Sequence, residues 1–265
     1  MNSSYRTAQS AGDRRYQCDA TAVWTADSGA QSYVLLDGIG DTPDVQEWVE
    51  EAAASLACAA ALRRDAEAGL RAERERYAAE PERHSSRDSE MLPGAAAVVA
   101  VHDPSGTLSI AWSGDARAYL LLLDDELRPL DKCLRLLTDD HNERRAYDGR
   151  GNRHTITSYL GGILDDEETK QQWGHAAVEV VRGPARPAWL LLLSDGAYEP
   201  HEDAYHDMTA YLTDTPAPYT AAPRLVQDAV TRARVPRARV PRPHADNATA
   251  LIALLPGPAV EPAGH

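Results

Sequence analysis

The apolar residues of this chain fall mainly into short runs of strand length, separated by polar turns. We predict β-strands over 20–24, 32–36, 95–102, 107–112, 117–123, 127–130, 178–181, 189–193 and 249–255. In the middle of the chain, turn sequences such as Asp103-Pro104-Ser105-Gly106 join consecutive strands directly. This pattern is typical of an antiparallel meander and not of alternating strands and helices.

Two stretches carry helical periodicity, over 45–79 and 225–233. The first follows Thr42, Pro43 and Asp44, which supply a hydroxyl cap, a proline in the first turn and an acid at the positive end of the helix dipole. Apolar residues then recur at helical spacing, so one face of this helix packs on a core. The sequence therefore predicts an α+β domain in which helices cover sheets.

The length of 265 residues favours one domain over two. We expect a flexible tail over 1–13, a folded domain over 14–256 and a C-terminal tail over 257–265. The formal net charge of -14 repels nucleic acid and anionic lipid, so neither is the expected partner. No apolar run approaches the roughly 20 residues of a membrane span, and the polar N-terminus lacks a signal-peptide core.

The three cysteines, Cys18, Cys58 and Cys133, show no metal-ligand spacing and cannot all pair within one chain. A reducing, cytoplasmic location is therefore expected. Cys18 is expected to be a small, partly buried residue and not a reactive thiol.

Four aspartates stand beside a strand-like run or a tight turn, namely Asp19, Asp37, Asp195 and Asp246. A carboxylate at the end of a buried strand costs free energy unless something compensates its charge. Several such carboxylates are compensated if they converge on a hard cation such as Mg²⁺ or Mn²⁺. In Asp37-Gly38 the glycine also allows a backbone carbonyl to approach a ligand closely. The same acid–glycine pairing recurs in Asp195-Gly196 and, in reverse order, in Gly114-Asp115.

These residues belong to an ordered series of short motifs that resembles the bacterial type of the PPM (PP2C-type) family of metal-dependent serine/threonine phosphatases. Each motif is unspecific by itself, but the series follows the family's order from about Arg14 to Leu255. The motifs are Arg14-Arg15-Tyr16-Gln17-Cys18-Asp19, Asp37-Gly38-Ile39-Gly40-Asp41, Gly94-Ala95-Ala96-Ala97-Val98, Gly114-Asp115-Ala116-Arg117-Ala118-Tyr119, Leu137-Thr138-Asp139-Asp140-His141, Tyr159-Leu160-Gly161, Ser194-Asp195-Gly196 and Asp246-Asn247-Ala248-Thr249.

The resemblance implies a four-layer α-β-β-α sandwich with two central antiparallel sheets. It also implies a centre that binds two Mn²⁺ or Mg²⁺ ions. Carried over by motif, Asp37 would bridge both ions and Gly38 would lend its backbone carbonyl. Asp195 and Asp246 would hold one ion, and Asp19 would act mainly through metal-bound water.

The same resemblance implies a third metal site formed by Asp115 with Asp195, and a phosphate-binding role for Arg14. The implied reaction is hydrolysis of a phosphomonoester by direct attack of a metal-bridging hydroxide, with Asp37, Asp195 and Asp246 as the catalytic acids. Two cations lower the pKa of a shared water and polarise the phosphoryl oxygens. The planar guanidinium of arginine suits two-point contact with phosphate.

The sequence departs from the family pattern at a few positions. Ile39 occupies a position that is histidine in many eukaryotic members, so the leaving group would be protonated by metal-bound water. Asp41 replaces the last glycine of its motif, where it could tighten metal binding or cap the next helix, and we expect the cap. Gln17 and Ala116 replace asparagine and serine without removing a ligand. We expect a structural role for His141, and surface or loop positions for His102, His154, His175 and His244.

The leading hypothesis is a phosphatase that acts on phosphoserine or phosphothreonine in proteins, opposes a serine/threonine kinase and is a monomer. A second hypothesis is a non-catalytic PPM-fold regulator, although such proteins usually lose metal-site acids and none of the five matched acids is missing. A third is a metal-dependent nuclease or nucleotide hydrolase. The acidic chain, the lack of a basic stripe and the lack of a Gly-rich Lys-Ser/Thr loop argue against this third hypothesis.

Overall fold

Ten strands and seven α-helices build the part of the chain described by the computed structural model, which covers residues 4–85, 92–124, 126–130, 134–213, 218–236 and 243–257. The strands are β1 (Ser4–Ser10), β2 (Asp19–Thr25), β3 (Gln31–Gly38), β4 (Ala95–Asp103), β5 (Thr107–Ser113), β6 (Arg117–Leu122), β7 (Arg135–Leu136), β8 (Glu179–Pro184), β9 (Ala188–Leu193) and β10 (Ala248–Leu255). The helices are α1 (Pro43–Arg63), α2 (Ala66–Ala78), α3 (Glu143–Ala146), α4 (Asp166–Trp173), α5 (Asp195–Glu202), α6 (Ala210–Thr213) and α7 (Pro218–Ala233), with a 3₁₀ turn at Pro81–His84.

The strands form two antiparallel five-stranded sheets. One has the order β1-β10-β9-β6-β7 and the other the order β2-β3-β4-β5-β8. A buried cluster that includes Tyr33, Leu35, Leu190 and Leu192 fills the space between the sheets. The predicted α+β class and four-layer α-β-β-α sandwich are therefore confirmed, since α1 and α2 cover the second sheet and α5, α6 and α7 cover the first.

The predicted strands are present, with one exception, because their apolar runs lie in the cores on either side of the sheets. Strands β4 and β9 are buried along their whole length, which explains why they read as continuous apolar runs. The predicted strand over 127–130 is wrong, since only Pro129 forms an isolated bridge, with Leu123. A short strand follows instead at Arg135–Leu136.

The predicted flexible tail over 1–13 is wrong for most of its length. Ser4–Ser10 is strand β1, which pairs along all seven residues with β10 at the edge of the first sheet. Its side chains are mostly polar, and Tyr5, Arg6 and Gln9 are exposed, so this edge strand has little apolar signal. Of the predicted C-terminal tail over 257–265, only Gly257 lies within the described residues.

The long helix predicted over 45–79 is two helices. The first ends at Arg64, whose backbone is left-handed with φ 56°, and the second begins after Asp65, whose side chain accepts a hydrogen bond from the backbone of Ala68. The Arg64 guanidinium binds the carboxylate of Asp103, with 2.8 Å between Nη2 and Oδ1. The break lets both helices pack on the sheet, and Thr42 caps the first helix as predicted.

Candidate active site

Two of the predicted acids face each other across neighbouring strands. Asp19 is the first residue of β2 and Asp37 lies near the end of β3, and the register of the two strands makes them direct partners. Like charges directly opposite each other destabilise a sheet. Asp19 is buried and Asp37 is half-buried, so their charges need compensation from another group.

Asp195 joins this pair from the other sheet, at the start of α5. Its backbone N–H donates to Oδ2 of Asp37 over 3.3 Å. The next residue, Gly196, lies so close to the segment before β10 that a Cβ there would come within 2.0 Å of the backbone oxygen of Asn247. The glycine therefore allows the close approach of α5 and the segment that carries Asp246.

Asp246 and Arg14 form an ion pair with 2.6 Å between Oδ2 and Nη2. The neighbouring Asn247 holds the segment that carries Arg14 and Asp19. Its side-chain amide donates to the carbonyls of Ala11 and Tyr16, and its side-chain oxygen accepts from the backbone of Cys18. The Asp-Asn pair thus ties the first motif of the chain to the last.

Asp115 approaches from the turn between β5 and β6. The preceding Gly114 has φ +126°, and a Cβ there would lie 2.4 Å from the Cβ of Ala96. Ala96 is the register partner of Asp37 in β4, so this contact brings Asp115 toward the other acids. The six residues predicted to bind metal are therefore brought together at one end of the two sheets.

The carboxylates of this cluster resist ionisation. Burial raises the pKa of Asp19 to about 7 and that of Asp195 to about 6, and neighbouring carboxylates contribute to both shifts. Burial, together with the charge of Asp195, also raises the pKa values of Asp37 and Asp115 well above their ordinary range. A bound cation would favour the ionised form of these buried carboxylates, so the cluster strongly favours cation binding.

The unpaired oxygens of the cluster fit a hard cation. Neither carboxylate oxygen of Asp19 has a hydrogen-bond partner, nor does Oδ1 of Asp115, although all three are buried. Buried polar atoms are normally paired, so these oxygens are suited to a ligand. Oxygen ligands of this kind suit Mg²⁺ and Mn²⁺.

Gly38 allows the chain to pass close to Cys18 beside the acid cluster. The N–H of Gly38 donates to the carbonyl of Cys18, and a Cβ at Gly38 would come within 2.3 Å of that oxygen. Cys18 itself is fully buried and burial raises the pKa of its thiol, which fits the unreactive role expected for it. Cys133 lies outside the described residues.

The expected role of Asp41 as a helix cap is wrong. Thr42 is the cap, and the Asp41 carboxylate instead accepts hydrogen bonds from the backbone N–H groups of Arg15 and Tyr16. These bonds lower the pKa of Asp41. The acid therefore fixes the loop that carries Arg14, and an aspartate can do this where the family's glycine cannot.

Arg153, His154 and Glu199 lie beside the predicted acids and were missed by the sequence analysis. His154, Asp195 and Glu199 each offer a ligand atom within 4.8 Å of the others. Burial raises the pKa of Glu199 to about 8, with a further contribution from Asp195. Arg153 pairs with Glu199 and, through two hydrogen bonds, with Asp203. Glu199 could have been found from its position one helical turn after Asp195, whereas His154 lies in a polar, irregular stretch without periodicity.

Polar residues behind the acids support the site. Arg117 makes a two-point contact with Asp140, and its guanidinium lies 3.9 Å from the centre of the Tyr198 ring. Tyr198 in turn donates to the backbone carbonyl of Asp115. This chain of contacts restrains the turn that carries Asp115.

The histidines fall into two groups. His141 is fully buried, stacks on His175 with 4.2 Å between ring centres and contacts Glu179, which supports a structural role for it. The expectation of a surface or loop position is wrong for His102, which is buried on β4. His175 is buried but lies in a loop, as expected. His154 and His244 are exposed.

Comparisons with known proteins place the fold. No model of a known protein family matches the sequence, and no curated protein sequence is similar enough to count as a match. Solved structures do match. The S. agalactiae serine/threonine phosphatase has a TM-score of 0.70 and 16% identity over 96% of this chain and 99% of that one.

Two further structures agree. The Mycobacterium tuberculosis serine/threonine phosphatase PstP/Ppp has a TM-score of 0.65 and 22% identity, over 96% of this chain and 99% of that one. PppA, a key regulatory component of T6SS in Pseudomonas aeruginosa, has a TM-score of 0.64 and 21% identity over 96% of this chain and 100% of that one. The fold of this chain is therefore that of the bacterial serine/threonine phosphatases, as its resemblance to the PPM family implied.

Proposed function

We propose that this chain is a PPM-type phosphatase that removes phosphate from phosphoserine or phosphothreonine in proteins. The observation that carries the proposal is the convergence of five aspartates and one arginine at the end of a phosphatase fold, where Asp19 and Asp115 have buried, unpaired oxygens. A buried group of acids is costly without a cation. The opposing kinase, the monomeric state and the cytoplasmic location belong to the same proposal. None of the helices in the described ranges is long and apolar enough to cross a membrane.

Arg14 is proposed to bind the substrate phosphate. Its Nη2 is held by Asp246, while its buried Nε has no hydrogen-bond partner. The hydrogen bond that Arg14 donates to Asp246 raises the pKa of Arg14, so the side chain stays a cation. A guanidinium held by one carboxylate, in a side chain that is still 33% exposed, can offer its accessible N–H groups to a phosphate oxygen.

The aspartates are proposed to hold the metal ions, with Asp37, Asp195 and Asp246 as the main ligands and Asp19, Asp115 and the Gly38 carbonyl as the others. Cations held there would supply Lewis-acid chemistry, which would lower the pKa of a water and neutralise charge on the phosphoryl oxygens. The fold holds the carboxylates in place beforehand, through the β2–β3 register and the contacts of Gly196 and Asn247. Ile39 supplies no proton, which separates this site from the family members with histidine there.

Phosphate release from a phosphothreonine peptide and from p-nitrophenyl phosphate, with Mn²⁺ and with EDTA, tests the proposal. We expect turnover that depends on Mn²⁺ and is lost in the Asp37→Asn, Asp195→Asn double variant. The matched control is Asp27→Asn, which changes an exposed acid in the turn between β2 and β3, at the opposite end of these strands from Asp19 and Asp37. Equal phosphate release by the wild type and the double variant would show that the acid cluster does not catalyse this reaction.

A further inference from the structure

A large cleft adjoins the acid cluster on the side of Ile39. Its volume is about 590 Å³, and half of its twelve lining residues have apolar side chains, namely Ile39, Val45, Leu92, Pro93, Ile156 and Tyr159. We call this the apolar cleft. Its volume lies within the range of roughly 300–1,000 Å³ that is typical of ligand-binding sites.

Contacts next to the proposed metal ligands fix the wall of the apolar cleft. Ile39 directly follows Asp37-Gly38, and its N–H donates to the carbonyl of Gly94 over 2.8 Å. The ring of Tyr159 packs on Gly94, where a Cβ would come within 2.8 Å of it. The side chain of Ile39 remains 43% exposed at the entrance. An apolar side chain fixed beside a reactive centre, and still open to solvent, is suited to contact with a ligand.

The apolar cleft lies beside the pocket of the acid cluster and shares one wall residue with it. His154 lines it and also lines a smaller pocket of about 200 Å³ that contains Asp195, Glu199 and Asp246. A substrate whose phosphate binds at Arg14 and the acids would therefore pass Ile39 and His154. Because consecutive residues of a peptide are about 3.8 Å apart, the neighbours of a bound phosphoresidue lie within reach of the cleft.

We propose that the apolar cleft binds a bulky apolar side chain next to the phosphoserine or phosphothreonine of the substrate. This inference rests on the proposed function and names its substrate class, which is phosphoproteins with residues such as leucine flanking the phosphoresidue. The cleft also contains Asp44, whose carboxylate disfavours an acidic neighbour. The expected order of preference at that position is leucine, then alanine, then aspartate.

Phosphothreonine peptides that differ only in the residue before or after the phosphothreonine, with leucine, alanine or aspartate there, provide the test. We expect leucine at one of these two positions to raise kcat/KM about tenfold over alanine. We expect a similar ratio in dissociation constants, measured by fluorescence anisotropy. Ile39→Ser and, separately, Leu92→Ser are expected to bring the ratio of leucine to alanine peptides close to one.

Ile163→Ser is the matched control, because Ile163 is 44% exposed and lies outside the apolar cleft. It should leave the ratio unchanged, and circular dichroism confirms that each variant is folded. A leucine-to-alanine ratio of kcat/KM below two at both peptide positions would overturn the inference. A loss of this ratio in Ile163→Ser equal to that in the two cleft variants would also overturn it. Hydrolysis of p-nitrophenyl phosphate separates the two proposals. If the protein does not hydrolyse p-nitrophenyl phosphate, the proposed function fails. The ratio of dissociation constants for the leucine and alanine peptides still decides whether the cleft selects apolar neighbours.

Discussion

Replacing Asp19 by asparagine is expected to stabilise the metal-free protein at neutral and alkaline pH. Asp19 is 3% exposed, faces Asp37 across the sheet and has no hydrogen-bond partner for either carboxylate oxygen. Its ionised form is therefore unfavourable in the folded state. The amide of asparagine has nearly the same shape and removes the charge.

The size of the effect follows from the pKa of Asp19. Burial raises this pKa from its ordinary value of 3.8 to about 7. Because the folded pKa exceeds the unfolded one, the penalty is small at pH 4, grows as the pH rises toward 7 and is constant above that. A shift of about three units, at about 1.4 kcal/mol each, sets a ceiling of about 4 kcal/mol on the gain in unfolding free energy.

Urea unfolding in EDTA, followed by circular dichroism from pH 4 to pH 8.5, measures the gain. We expect the difference between Asp19→Asn and wild type to be under about 1 kcal/mol at pH 4 and several kcal/mol at pH 8. Asp41→Asn provides a contrast of opposite sign, because hydrogen bonds from Tyr16 and Arg15 lower the pKa of Asp41 and its contribution to stability is lost as the pH falls. A gain for Asp19→Asn that does not change with pH would refute the reasoning.

Three further changes have defined outcomes. Arg14→Ala is expected to lower kcat/KM for p-nitrophenyl phosphate about a hundredfold at saturating Mn²⁺, whereas Arg15→Ala, an exposed neighbour, should change it less than threefold. Gly196→Ala places a Cβ 2.0 Å from the Asn247 oxygen and should cost about 2 kcal/mol or more of unfolding free energy. The control Gly183→Ala meets nothing within 4 Å and should have little effect on the melting temperature. Mn²⁺ at a hundred times its dissociation constant should stabilise the wild type by about 3 kcal/mol in urea unfolding, and no shift in midpoint would contradict a bound ion.

The sequence predicts those elements whose apolar pattern is set by burial. Strands β4 and β9 are buried at every position, so their runs are clear. Strand β1 escapes prediction because an edge strand with polar side chains is fixed by its backbone pairing with β10. The break at Arg64 escapes because arginine favours helices. Its left-handed conformation is held by backbone hydrogen bonds to Ala60 and Ala61 and by the contact with Asp103.

The sequence predicts those site residues that belong to the ordered motifs. It does not predict residues that only the folding of the chain brings to the site. All six predicted metal-binding residues converge, because their motifs sit at strand ends and turns that meet at one end of the sheets. The direct pairing of Asp19 with Asp37 depends on strand register, which the sequence does not encode locally. His154 reaches the site only through the path of an irregular loop.

Calorimetric titration of the metal-free protein with Mn²⁺ tests most directly whether the aspartate cluster is a metal centre. The account predicts saturable binding of at least two ions per chain in the wild type, and loss of that binding in the Asp37→Asn, Asp195→Asn double variant. Heats that match simple dilution in the wild type, or equal binding by both proteins, would contradict it.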